Sequence, residues 1–391
     1  MRHYLVTGAT GVVGSALLRR LLDDADVHAS LLVRAPDDAA LAARTDALFD
    51  FWRWGSAEAA VRSRVHAIRG DATAPRFGLG ASAYDALLGR TTHVVHAAGA
   101  VRMNLPLEQA RHSACQSAHE ILAFTWALHR AGKLGKLEFV STVGVGGRMP
   151  TVPEQWIDTP REFHNTYEQS KAEAEQLVRQ AVDDGLPVTV HRPSMVVGDS
   201  HDGRVLNFQI FYHLCEFLSG RRTLGLFPPL GDQVLDIVPA DMVAGAIDWS
   251  SRTQATAGRV LHLCGGPSGA VPLEALRERV RACMQRRGLR LPGVRTLPGP
   301  LFVRLLRLAG LFVDARSRRA LATLPVFLDY LATHQRFENR RTIALLAGAV
   351  GVQHDGWQAW LDTVLDHYLD QLPARRTPGP PQARDSKGGK S

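Results

Sequence analysis

The chain has 391 residues, 45% of them hydrophobic and 21% charged, the balance of a globular protein with an ample core, and this excludes an intrinsically disordered chain. Its length exceeds that of a typical single domain, so one large domain with an attached lobe, or two domains, is expected. The formal charge is +8, from 46 Lys+Arg against 38 Asp+Glu. Without an aromatic-basic stripe or a helix-turn-helix pattern, nucleic acid is not expected as a partner.

The first predicted strand begins at Tyr4 and runs into Thr7-Gly8-Ala-Thr10-Gly11-Val12-Val-Gly14, after which Ser15 to Arg20 has helical period. Glycine at 8 permits a sharp exit from the strand, glycine at 11 lets a pyrophosphate approach the backbone, and glycine at 14 lets the helix sit close on the sheet. The first N–H groups of that helix lack intrahelical partners and lie at its positive end, so an anion is stabilised there. The stretch reads as strand, tight turn and helix around a nucleotide phosphate, with an ordinary strand-to-helix turn as the alternative. Val27 to Val33 is a second strand ending at Arg34, twenty residues past Gly14, where an NAD-binding chain commonly places an acidic residue on the ribose 2′-OH. A guanidinium there suits a 2′-phosphate, so NADP(H) is favoured over NAD(H), although Asp37 and Asp38 follow closely.

Residues 38–63 read as helical, and Val65 to Ile68 with Gly70-Asp71 as a third strand, Asp71 being placed to reach the adenine edge. Thr92 to His96 is a fourth strand running into Ala97-Ala98-Gly99, His112 to Ala131 a helix, and Leu137 to Ser141 a fifth strand. A loop over 148–166 leads to a helix from Tyr167 to Asp183. Pro187 to His191 is the sixth strand, ended by Arg192-Pro193. This alternation predicts an α/β fold, a Rossmann-type doubly wound parallel sheet, over 1–198. Residues 199–233 break the pattern with an apolar helical run from Val205 to Leu218. The sheet is expected to resume at Val234 to Pro239, followed by a helix from Ala240 to Ser250 and a strand from Val260 to Cys264.

From Pro272 on the reading is mainly helical, at 272–287, 299–312, 325–332, 339–348 and 355–371. A smaller, mainly helical substrate lobe is thus expected over 199–233 and 266–373, with 234–265 returning to the nucleotide domain and 374–391 a disordered tail. Leu301 to Val313 is apolar but contains Arg304 and Arg307 and is too short to span a bilayer; core, or less readily an interfacial helix, is expected. Arginine pairs at 221–222, 286–287 and 340–341 suit an acidic ligand, an acidic carrier or peripheral contact with an anionic membrane, and equally a solvated basic face. Cys115, Cys215, Cys264 and Cys283 lie far apart without metal-ligand spacing, which predicts free thiols of a reducing compartment and no metal site. Residue 1 leads straight into the first strand, leaving no room for a signal peptide, so a cytoplasmic location is expected.

Tyr167 and Lys171 are four apart on a predicted helix and so share a face. A phenol titrates at about 10 and an ammonium at about 10.4; a neighbouring positive charge is expected to lower the tyrosine value and make it an acid and base near neutral pH. The pair follows a strand that ends in Ser141-Thr142.

These pieces together resemble the extended short-chain dehydrogenase/reductase superfamily: TGATGVVG at 7–14, GD at 70–71, HAAG at 96–99, FVSTVGVGG at 139–147, YEQSK at 167–171, HRPSMVVG at 191–198 and VLDIVPADMV at 234–243. Within it the chain looks most like the fatty acyl and thioester reductase branch, the male sterility type. The resemblance implies Thr142 hydrogen-bonding the substrate carbonyl, Tyr167 donating the proton, and Lys171 binding the nicotinamide ribose. It also implies a cofactor site built from Thr7, Gly8, Thr10, Gly11, Val12, Gly14, Arg34, Asp71, Ala97, Ala98 and Pro193. Where the branch reads N-V-x-G-T, this chain has Ala114-Cys115-Gln116-Ser117-Ala118. The expected activity is NADPH-dependent reduction of an acyl thioester, on coenzyme A or an acyl carrier protein, to an aldehyde, with the alcohol as the alternative end product. The same triad also serves sterol-type alcohol and ketone dehydrogenases and sugar-nucleotide epimerases or dehydratases, and a catalytically silent NADP-binding module is a third class.

Overall fold

Strand and helix alternate as their apolar periods require. The structure, a computed structural model, describes residues 1–103, 105–302, 304, 335–349 and 356–372. In chain order the strands are β1 (Arg2–Thr7), β2 (Val27–Val33), β3 (Val65–Arg69), β4 (His93–His96), β5 (Lys136–Val140), β6 (Thr151–Val152), β7 (Val188–Pro193), β8 (Met195–Val197), β9 (Leu226–Phe227), β10 (Val234–Leu235), β11 (Ile237–Pro239), β12 (Val260–Leu263), β13 (Val271–Pro272), β14 (Arg295–Thr296) and β15 (Arg336–Phe337). The helices are α1 (Val12–Leu21), α2 (Asp38–Trp52), α3 (Glu58–Arg62), α4 (Ala81–Arg90), α5 (Leu107–Arg111), α6 (Ser117–Arg130), α7 (Thr166–Asp183), α8 (Ile210–Leu218), α9 (Ala240–Ser251), α10 (Gly266–Gly269), α11 (Leu273–Arg286), α12 (Arg340–Leu346) and α13 (Trp357–Asp370).

Among the described residues, seven parallel strands form the central sheet in the order β12-β7-β5-β4-β1-β2-β3. The order reverses at β1, which pairs with β2 on one side and β4 on the other, and in such sheets ligands bind in the crevice beyond the strand ends at the reversal. Successive side chains alternate between faces. Tyr4, Val6, Val95 and Val140 face the layer that holds α1 and α9, whereas Leu5, Val94, Leu137 and Phe139 pack against Ile121, Phe124 and Leu128 of α6 and Val178 of α7. Each such buried side chain contributes about 1.5–3 kcal/mol. Both faces are covered, as a parallel sheet requires.

Several expected elements differ. Val234 to Pro239 does not rejoin the central sheet: the outer edge of β7 is taken by β12, so β10 pairs with β13 and β11 with β8, beyond the bend after Pro193. Residues 38–63 are not one helix, because Arg53 and Gly55 adopt positive φ (49° and 60°) and break it into α2 and α3. The run at 205–218 becomes helical only from Ile210. Expected helices at 325–332 and over most of 299–312, with the tail at 374–391, lie outside the described residues. All four cysteines are free, and no described helix is long and apolar enough to cross a membrane.

Candidate active site

The glycine turn has the strained geometry that its residues permit. Gly8 adopts φ +75°, and a Cβ there would lie 2.5 Å from the Ala97 carbonyl carbon; a Cβ on Gly14 would lie 2.2 Å from the Gly8 carbonyl oxygen. Beta-carbon space at Gly11 meets only the Gly8 oxygen, at 3.2 Å, and that side opens to a cavity. Gly11 is also the N-cap of α1 and carries no side-chain oxygen, so the first amide groups of the helix point into the cavity with no cap from their own chain. This cradle fits a dinucleotide pyrophosphate. Thr7 is turned inward: its Oγ1 hydrogen-bonds His96 Nδ1 (2.9 Å) and accepts the Ala98 N–H (3.3 Å), and so shapes the β4 loop that carries Ala97 and Ala98.

Arg34, 80% exposed, reaches to 3.9 Å from Asp71. Burial works against ionisation of Asp71, but the N–H and hydroxyl of Thr73 (2.9 and 2.8 Å) and the Arg34 charge hold its carboxyl below the usual range. A second guanidinium that the sequence spacing did not mark stands here. Arg44 of α2 donates to Thr10 Oγ1 at 2.8 Å and to the Arg34 carbonyl, bridging the glycine turn and the end of β2. Two arginines therefore flank the far end of the cradle.

The cavity has a volume of about 470 Å³ and runs from Gly11, Val12 and Gly14 past Ala97 to Thr142, Tyr167, Lys171 and Pro193. Thr142 leaves β5 as the cap of a tight turn, its Oγ1 accepting the Gly144 N–H at 3.1 Å, and it lines the same cavity as Tyr167. Helix α7 starts on the Asn165 cap, which accepts the Glu168 N–H at 3.0 Å, so Tyr167 sits in its first turn and Lys171 one turn on. The Lys171 ammonium donates to the Val140 carbonyl at 3.1 Å and lies against Gly99, where a Cβ would come within 3.3 Å of it.

The expected lowering of the Tyr167 pKa is overturned. Burial pushes the phenol up to about 12, aided by the Glu168 charge and opposed by the nearby Thr142 hydroxyl. The same burial pushes the Lys171 ammonium down to about 8, although the carboxylate of Glu175 works the other way. Desolvation disfavours both charged forms and outweighs the local partners. Tyr167 therefore holds its proton across the physiological range.

Other residues of the site lay beyond motif reading. Glu175, one turn past Lys171, accepts from Ser141 Oγ (2.6 Å) and pairs with Arg192 of β7, whose Nε is 3.1 Å away; Arg192 in turn donates to the Gln155 carbonyl (3.0 Å) and to His262 Nε2 (3.1 Å). Burial, with the Arg192 charge beside it, lowers the His262 pKa to about 3, so its ring is neutral and donates through Nδ1 to the Glu338 carbonyl at 2.6 Å. Gln335 and Phe337 close one wall of the cavity, held by pairing of β15 with β6 and by Gln335 donating to the carbonyls of Gly147 and Met149. Where the branch pattern departs, His112 to Gln116 forms a wide π turn packed on α7, with Ala114 buried and Cys115 Sγ 3.7 Å from the Ser170 carbonyl.

The profile of the Male sterility protein family matches residues 6–247. An isonitrile lipopeptide synthase from Streptomyces coeruleorubidus is 33% identical over 246 residues, covering 62% of this chain and 16% of the synthase. Glycine betaine reductase ATRR from Emericella nidulans is 30% identical over 273 residues, covering 66% of this chain and 20% of the reductase. The chain thus spans only a minor part of the length of these relatives. Among solved structures, the terminal R domain from the myxalamid PKS-NRPS biosynthetic pathway is 28% identical with a TM-score of 0.77, and the match covers 95% of this chain and 91% of that domain. The chain belongs to the Male sterility protein family within the extended short-chain dehydrogenase/reductase superfamily, and is an NAD(P)-dependent oxidoreductase of that type.

Proposed function

We propose that the chain is an NADPH-dependent reductase of an acyl thioester, carried on a carrier protein or coenzyme A, which releases an aldehyde and can reduce it on to the alcohol. The observation that carries this reading is the joint placement of the Thr142 and Tyr167 hydroxyl side chains, with Lys171 one turn on, in the wall of the cavity that also holds the phosphate cradle. Gly11 to Gly14 would hold a reduced nicotinamide dinucleotide, which would supply the hydride. Arg34 and Arg44 offer two guanidinium groups to a ribose 2′-phosphate, which favours NADPH over NADH.

Thr142 and Tyr167 then hold the substrate carbonyl oxygen. Charge develops on that oxygen as its carbon is reduced, and two hydroxyl donors fixed before the reaction stabilise it without reorganising. Tyr167, protonated below about pH 12, is the acid that neutralises it. Lys171 would hold the nicotinamide ribose, and Pro193 would border the ring; both line the cavity. Met103, Met195, Ile210 and Phe337 give the cavity an apolar portion that suits an acyl chain. A thioester is favoured over a free ketone by the relatives, one a lipopeptide synthase and one a terminal R domain of a PKS-NRPS pathway.

The test is a product assay with NADPH against acyl-CoAs and acyl carrier proteins of several chain lengths, with ketones and nucleotide sugars alongside. Thiol release coupled to NADPH consumption is expected with thioesters. Turnover of ketones or nucleotide sugars without thiol release from any thioester refutes the reading.

A further inference from the structure

In a chamber with apolar walls, a polar atom held in one place decides which ligands fit. Beside Met103, Ile210 and Phe337 the cavity is lined by the carboxamide of Gln335. Its Nε2 donates to the Gly147 carbonyl at 2.6 Å and to the Met149 carbonyl at 2.8 Å. Carbonyl oxygens only accept, so the NH2 end of the amide is the end turned to the loop at 147–149, and both of its hydrogens are used. The amide oxygen Oε1 is the polar atom that remains. No described residue donates to it, and it is not sealed from solvent, so it stands as an accessible acceptor on a side chain of the cavity wall.

The anchor of Gln335 belongs to the acceptor side of the site. Thr142 caps the turn Val143–Gly146, which ends at Gly147, so the carbonyls that hold Gln335 follow directly on the threonine that faces the cavity. Main-chain bonds add to the hold: the Arg336 N–H donates to the Pro150 carbonyl at 2.9 Å and the Glu338 N–H to the Val152 carbonyl at 3.1 Å. Any donor would serve as a clip for two carbonyls; what a carboxamide adds is the acceptor. Its rotamer is already fixed, so a hydrogen bond to Oε1 costs little further ordering. Gln209, the other carboxamide in the described lining, does not cap α8 and lacks an anchor of this kind.

Resting on the thioester-reductase function, we propose that Gln335 is a specificity residue whose Oε1 accepts an amide N–H of the acceptor. Two parts of a carrier-borne thioester can supply that donor: an amide within the acyl group, as in an N-acylaminoacyl or peptidyl chain, or an amide of the pantetheine arm. A plain fatty acyl group on an arm without an amide carries no such donor. It takes water away from Oε1 and gives nothing back, so thioesters bearing an N–H are the preferred class.

The full-length chain is assayed for thiol release with NADPH on two pairs of thioesters, each pair differing in one amide as N–H or N-methyl. In the first pair the amide lies in the acyl group, as S-ethyl thioesters of N-octanoylglycine and N-octanoyl-N-methylglycine. In the second it lies in the leaving arm, as octanoyl thioesters of N-acetylcysteamine and of its N-methyl amide. Wild-type protein is expected to favour the N–H member of at least one pair by about three- to tenfold in kcat/KM, the range of a single neutral hydrogen bond. The pair that responds identifies the source of the donor. Gln335→Met removes donor and acceptor together, whereas Gln335→Lys keeps a donor for the Gly147 and Met149 carbonyls and has no acceptor. Both variants are expected to lose the preference. The bulk of the methyl group acts on all three proteins, so the change in ratio is what is read. A wild-type preference in neither pair, or a preference kept at the wild-type ratio in Gln335→Lys, overturns the inference. Should Gln335→Met fail to bind NADPH, Gln335→Lys is read by the same criteria. Wild-type protein that releases no thiol from any of the thioesters refutes the thioester-reductase function and the role of Gln335 with it; release without N–H preference refutes the role of Gln335 alone.

Discussion

Replacing Glu175 by Gln keeps the side chain's shape and removes its charge. Arg192, its partner, is fully buried, so Glu175→Gln strands a guanidinium among β7, the Gln155 carbonyl and His262. Removing one member of a buried ion pair costs about 3–5 kcal/mol, because the other charge is left without compensation. At about 2.1 cal/mol/K of unfolding entropy per residue, a chain of 391 residues loses about 1.2 °C of melting temperature per kcal/mol, so the midpoint should fall by about 4–6 °C. A second effect is local. The Glu175 carboxylate supports the Lys171 ammonium against burial, so its loss lowers the Lys171 pKa further below about 8, and activity should fall away at a lower pH than in the wild type. Differential scanning calorimetry and a pH profile of kcat/KM measure the two effects. An unchanged melting temperature together with an unshifted alkaline limb refutes the argument that Glu175 couples the triad to Arg192.

In the wild type, kcat/KM should decline as pH rises past about 8, because Lys171 loses its proton while Tyr167, at about 12, keeps its own. The folded Lys171 pKa lies below its unfolded value of about 10.4, so the unfolded chain binds more protons in that window, and this group makes stability rise with pH while activity falls; chemical denaturation at pH 7.5 and 9.5 in parallel with turnover checks the divergence. Tyr167→Phe should lower turnover by roughly 10²–10⁴ with NADPH affinity unchanged by calorimetry, and unaltered turnover would remove Tyr167 from the acid role. Arg34→Ala and Arg44→Ala should each narrow the NADPH-over-NADH preference measured by calorimetry; identical ratios in variant and wild type would remove the arginine argument. Gly14→Ala, whose Cβ meets the Gly8 carbonyl oxygen, should abolish dinucleotide binding, as read by NADPH fluorescence.

How far the sequence was legible depends on range. The strand Val27–Val33, the turn at Gly8 to Gly14 and the helix bearing Tyr167 and Lys171 are all specified by residues within a dozen positions of one another, and the structure places them as read. The sheet edge was misjudged at Val234 to Pro239 because an apolar run does not reveal that β12 already occupies the adjoining edge. The direction of the Tyr167 shift was misread for a related reason: spacing puts an ammonium beside the phenol, but only the fold shows how completely both are withdrawn from water. Arg44 escaped notice because α2 must fold back before its guanidinium meets Thr10. Phe337 and Gln335 join the cavity through pairing with β6 across more than a hundred and eighty residues.

That long-range wall bears on how such a reductase can change. Residues 335–342 are fastened by main-chain pairing, by Glu154 accepting the N–H groups of Arg341 and Thr342, and by the His262 bond to the Glu338 carbonyl, none of which passes through the phosphate cradle. The wall at 335–342 and the phosphate cradle are thus built by separate stretches of chain that meet at one cavity. On the proposed function, substitutions at Gln335 or Phe337 would remodel the acyl chamber while the cofactor cradle and the proton donor stay as they are, so diversification of the acceptor need not cost catalysis.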